Sequence, residues 1–127
     1  MLESVQQLMN AANCKEEVLK YLKMYKRGDI IFTKKNIEEQ LAIRRLAKEE
    51  IIGNLLNSKK LIFAEKQERE FQGKKEIRYN CYFIFSKSRA HRYVLSFNDK
   101  LKVITAIPLG RKTLNKMSIK EVLEGLK

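Results

Sequence analysis

Residues Glu76–Pro108, EIRYNCYFIFSKSRAHRYVLSFNDKLKVITAIP, decide the fold. Ile77, Tyr79, Cys81, Phe83 and Phe85 alternate with Arg78, Asn80, Tyr82 and Ile84, which predicts a strand with one apolar and one more polar face. Ser86-Lys87-Ser88 turns the chain, and alternation resumes from Arg89 to Phe97. Asn98-Asp99-Lys100 predicts a three-residue hairpin loop, followed by a β-branched strand, Leu101–Ile107, that Pro108 and Gly110 end. Upstream, Leu61 to Glu68 predicts a further strand, with Gly73 marking the loop between them. The expectation is an antiparallel meander of four strands.

The chain before this block has a helical period. Val5, Leu8 and Met9, then Val18, Leu22 and Tyr25, recur at helix spacing over residues 2–27, with a break at Ala12-Asn13 where Asn13 can cap the second piece. Gly28-Asp29 is a turn signal, and Ile30–Phe32 is expected to be an extended connector. Thr33 or Asn36 can cap a helix in which Ile37 and Leu41 share a face, and a further helix opens at Ala47-Lys48, carries Ile51, Ile52, Leu55 and Leu56, and ends at Asn57-Ser58. After the meander, Arg111–Lys116 predicts a basic loop leading to a short helix capped by Ser118, with Ile119, Val122, Leu123 and Leu126 for packing. The expected architecture is one α+β domain over residues 1–127: a helical half (1–58), an antiparallel sheet (59–110), then the basic loop and helix (111–127). Helices cover one face of the sheet; the other is partly wet.

Charge dominates the composition. With 27 Lys and Arg against 15 Asp and Glu, the net charge is +12, a field that draws polyanions by counterion release. No run approaches the roughly 18 apolar residues of a membrane span. The start MLESVQQLMN lacks the basic-then-apolar order of a signal peptide, so a cytoplasmic protein is expected. Cys14 and Cys81 lie far apart without CxxC spacing, as expected of reduced thiols.

One histidine and two aspartates give no metal-ligand motif, and the chain has no phosphate-binding glycine loop and no nucleophile elbow. No cofactor or metal is expected. What remains is chemistry that cations, a phenol or an imidazole can do, of which metal-free RNA cleavage is one case. His91 is the candidate acid or base, Arg78 and Arg111 the candidates to hold a phosphate, and Tyr79 a proton donor or base-stacking ring. Arg44, Tyr82, Arg89, Arg92 and Lys112 complete the candidate nucleic-acid-binding set. Alternation already separates His91, Tyr93, Leu95 and Phe97 from Arg92, Val94 and Ser96 on the opposite face, and core packing competes with each functional role.

The order of elements resembles a family. Asn36-x-x-x-Gln40-Leu41-x-x-Arg44-x-Leu46-Ala47-x-Glu49-x-Ile51, then Arg78-Tyr79 opening a strand, then KVITAIP in the last strand, is similar to small domains grouped with the RelE, BrnT and MqsR toxins of the barnase-like ribonuclease superfamily. In those domains the first helix begins His-Ala-x-x-Arg-Met-x-x-Arg-Gly-Ile-Ser. Here Asn36 stands at the histidine, Gln40 at the first arginine and Arg45 at the glycine, while Arg44 and Arg78-Tyr79 match. The resemblance, over about residues 33–110, implies an RNA-binding or RNA-cleaving fold with an antitoxin as partner. Two further readings stay open: a winged-helix DNA-binding module with its wing at Gln72-Gly73-Lys74-Lys75 and with Lys48 and Asn54 as base readers, and a non-catalytic subunit whose basic surface meets an acidic protein.

Overall fold

The computed structural model describes residues 14–33, 37–86 and 88–116. The architecture is α+β, built on one mixed five-stranded sheet in the order β1-β5-β4-β3-β2. The strands are β1 (Ile30–Phe32), β2 (Leu61–Phe71), β3 (Lys74–Ser86), β4 (Arg89–Phe97) and β5 (Leu101–Gly110). The helices are α1 (residues 14–22), α2 (Ile37–Ile43), α3 (Lys48–Leu56) and α4 (Arg111–Lys116).

β3 explains the arrangement. Its burial is continuous from Tyr79 to Ile84, so this stretch is covered on both sides. Tyr79, Cys81 and Phe83 enter the main core with Val18 and Leu22 of α1, Leu41 of α2, and Ile51, Ile52 and Leu55 of α3. Tyr82 and Ile84 face the other way, into a smaller cluster with Phe63, Ala90, Leu109 and Leu114 of α4. Phe63 and Tyr82 stack there, with centroids 4.2 Å apart and rings 14° from parallel. Burying a side chain of this size contributes roughly 1.5–3 kcal/mol, which is why α4 docks on this end of the sheet.

Three expectations are corrected. Ile30–Phe32 is a strand rather than a connector: it pairs in parallel with Leu101–Val103, making the sheet five-stranded and mixed instead of four-stranded and antiparallel. Its three residues are too few for a sequence period to reveal, and the pairing partner lies about 70 positions away. β5 runs through Pro108 to Gly110. β1 reaches only Val103, so beyond it the outer edge of β5 has no strand neighbour among the described residues, and a proline there removes no sheet hydrogen bond. Arg111–Lys116 is helical rather than a loop, drawn in by the buried Leu114. The expected cap at Asn13, the helix before it, the cap at Asn36 and the helix after Ser118 lie outside the described residues.

Two tight corners shape the elements. α2 closes with Leu46 N–H donating to Leu41 C=O at 2.8 Å and Arg45 N–H to Ala42 C=O at 3.1 Å, the paired bonds of a Schellman end. Arg45 holds the left-handed φ of 56° that this end requires, at the position where the resembled domains carry glycine. The β2–β3 turn places Gln72 at φ 51° and Gly73 at φ 77°, the sign pair of a type I′ hairpin. That two-residue turn sets Phe71 opposite Lys74, and so Gln67 opposite Arg78.

Candidate functional site

The sheet face away from α1–α3 divides in two. Next to α4 it is apolar; beyond Tyr82 it is open, and there an aqueous depression of about 430 Å³ is rimmed by Gln67 and Arg69 of β2, Arg78 and Asn80 of β3, Arg92 of β4 and Thr105 of β5. Val94 and Ile104 form its apolar floor. The rows follow from register: Glu65, Asn80, Val94 and Thr105 lie across the sheet in one line, and Phe63, Tyr82, Arg92 and Ile107 in the next.

Three guanidinium groups therefore converge on one depression. The Arg78 side chain is 27% exposed and pairs with Glu76, two residues earlier on the same face, at 3.1 Å. That pairing is made by Nε to Glu76 Oε1 and by Nη2 to Oε2, both at 3.1 Å, whereas the buried Nε–H of Arg92 has no acceptor among the described residues. A buried charged donor without an acceptor is costly, so the Arg92 Nε–H is a place where an anion's oxygen would be stabilised. No carboxylate pairs with Arg69 or Arg92 among the described residues. Burial raises the Tyr82 phenol above its ordinary pKa, Glu65 adds to this, and the neighbouring Arg92 opposes it.

The remaining candidates lie elsewhere. His91 is buried on the opposite face, with Nδ1 2.7 Å from the Tyr93 hydroxyl and its ring edge-on to Phe85. Burial lowers its pKa; Glu50 works against this and Arg89 with it. Tyr93 accepts a hydrogen bond from Asn54 at 2.9 Å, which completes a buried chain from α3 to His91. Tyr79 is in the core, its hydroxyl donating to Glu17 at 2.9 Å, and burial followed by Glu17 holds the phenol neutral. Arg44 donates to Ala106 C=O at 2.8 Å and ties the end of α2 to β5. Arg89 pairs with Glu50 at 2.7 Å and lies over the Phe85 ring. Arg111 and Lys112 are exposed on α4, outside the depression. Of the nine residues singled out from sequence, then, Arg78 and Arg92 meet at the depression and Tyr82 adjoins it.

Arg69, Gln67, Asn80 and Thr105 escaped the sequence reading as site residues. β2 was expected to end at Glu68, which leaves Arg69 in a loop. Taking Gln72-Gly73 as a two-residue turn would have set Gln67 and Arg69 beside Arg78 and Glu76.

No group of three or more His, Cys, Asp or Glu side chains among the described residues is placed to hold a metal ion. No helix among the described residues is long and apolar enough to cross a membrane. Comparison with protein-family models, curated proteins and solved structures found no match to this chain.

Proposed function

We propose that the chain binds single-stranded nucleic acid, RNA above all, with the open face of its sheet. The carrying observation is the convergence of Arg69, Arg78 and Arg92 on one polar depression, with the buried Nε–H of Arg92 left without an acceptor. Arginine forks match phosphate oxygens, and the amide and hydroxyl groups of Gln67, Asn80 and Thr105 beside them suit base edges and the ribose 2′-hydroxyl. The net charge of +12 adds long-range attraction.

Binding is favoured over cutting because the depression offers cations, amides and a hydroxyl but no group that titrates near neutrality; the imidazole is on the far side of the sheet. The winged-helix reading has less support. Lys48 pairs with Glu38 at 2.7 Å and Asn54 is bonded to Tyr93, so both base readers on α3 are engaged internally.

The test is a titration of the protein with a single-stranded RNA and with duplex DNA at about 50 and 200 mM salt. The expected result is preference for RNA, loss of affinity with salt, and about tenfold weaker binding for Arg92→Gln or Arg78→Gln with the salt slope reduced by about one. Absence of RNA binding at low salt, or arginine variants that bind as well as the parent, overturns the reading.

A further inference from the structure

The sheet splits at one end. β3 pairs with β2 as far as Lys74, but its pairing with β4 stops at Tyr79 opposite Leu95, so residues 74–78 of β3 separate from Ser96 and Phe97 of β4. A cleft of about 240 Å³ occupies the gap, lined by Tyr21, Ile77, Tyr79 and Phe97, with Ser96 and Asn98 at its rim. Strand alternation directs the main-chain N–H and C=O groups of Lys75, Ile77 and Phe97 across this gap, where the sheet supplies them with no partner.

Resting on the RNA-binding reading, we propose that this cleft receives an unpaired nucleobase of the strand whose phosphates the arginines hold. Size fits: the space is smaller than the roughly 300–1,000 Å³ of sites for drug-sized ligands, and suits one planar ring system. Chemistry fits as well. Tyr21 and Phe97 are stacked, 5.0 Å apart at 24°, and Tyr21 is only partly buried, so the pair presents aromatic surface at the cleft. The Tyr79 and Tyr21 hydroxyls are both turned to Glu17, leaving their rings to line the space. Main-chain donors and acceptors opposite an aromatic wall are the elements by which a splayed base is stacked and hydrogen-bonded along its edge.

Continuity joins the two places. Arg78 lies between the cleft residues Ile77 and Tyr79 in sequence and projects onto the arginine face, while Ser96, across the gap from it, lines the cleft. Glu76 at the rim is held by Arg78 and does not repel the chain as a lone carboxylate would. A strand crossing the depression therefore has the cleft next along its path. An extended peptide could use the same main-chain groups, but the cationic approach favours a polyanion.

The experiment compares three probes: an eight-nucleotide single-stranded RNA, the same oligomer with abasic sites, and inorganic polyphosphate. Binding is measured for the parent, Tyr21→Leu, Tyr21→Phe and Arg92→Gln, with thermal midpoints to confirm that each is folded. Tyr21→Leu is expected to weaken binding of the intact RNA by about tenfold while leaving the other two probes unchanged, and Tyr21→Phe to retain parental affinity. Arg92→Gln is expected to weaken all three. If intact and abasic RNA bind the parent equally, or Tyr21→Leu changes nothing, the base cleft is overturned while the arginine site stands. If no probe binds, both fall.

Discussion

Arg78 and His91 project from opposite faces of the same sheet, the arginine into the open depression and the imidazole into the core beneath α3. A single phosphate on the arginine face cannot reach the histidine without displacing the sheet. That separation sets His91 apart from the arginines, and its burial beside Tyr93 makes its protonation state matter for stability.

His91 has a pKa lowered by burial, so in the window just below the ordinary histidine value of about 6.5 the unfolded chain binds a proton that the folded chain does not. Stability therefore falls as the pH drops through that window, by at most about 1.4 kcal/mol per pH unit from this group. Asp29, held below its ordinary value by its Lys26 main-chain bond and Lys100, and Glu38, held down by Lys48, lose their contributions only at lower pH. Urea midpoints at pH 7.5 and 5.5 are expected to differ for the parent and to converge for His91→Gln. RNA affinity at neutral pH is expected to be unchanged in that variant.

Arg44 and Arg92 separate structure from binding. Arg44 caps a main-chain carbonyl in a partly buried position, and a hydrogen bond to a charged group is worth about 1.5–3 kcal/mol. Arg44→Met is expected to lower the midpoint of chemical unfolding by that scale with RNA affinity retained. Arg92→Gln is expected to do the reverse. Equal effects of the two on binding would show that the polyanion follows net charge and no defined site.

Backbone conformation predicts two stabilising changes. Arg45 and Gln72 carry side chains at φ 56° and 51°, where glycine and asparagine are at ease and other residues are strained by roughly 1 kcal/mol. Arg45→Gly and Gln72→Asn are expected each to raise the thermal midpoint, additively, since they sit in separate corners. Gly73→Ala is expected to lower it, although a Cβ at this position meets nothing within 4 Å, because the penalty lies in the φ of 77° itself.

Thiol reactivity distinguishes the cysteines. Cys81 is fully buried in the sheet and its thiol is pushed far above the usual range, by burial first and Cys14 second, while Cys14 is partly exposed. A disulfide reagent is expected to titrate one thiol in the native protein and two after denaturation. Fast reaction of both without denaturant would indicate that the β3 core opens.

Much of the fold is legible in local pattern. The alternation in β3 and β4 sorts the residues onto the two faces that the structure shows, because a period of two is imposed by the strand backbone itself. α3 runs where its apolar spacing and the Asn57 stop predict, and the Asn98-Asp99-Lys100 loop joins β4 to β5. Cations on an exposed face were legible too, since Arg78 and Arg92 share a parity with Asn80 and with Val94.

What pattern could not supply is any relation between distant segments. Local periodicity has no term for Ile30–Phe32 closing on Leu101–Val103, so a three-residue strand passed for a connector. The helix at Arg111–Lys116 depends on Leu114 finding the Phe63–Tyr82 stack, a contact made only once β2, β3 and β5 are assembled. The convergence of Arg69 with Arg78 and Arg92 follows from the register of two hairpins, and a one-residue slip in either would send an arginine to the core face. Residue chemistry is local and can be read along the chain; a site is a coincidence of positions in space, and here long-range pairing sets those positions.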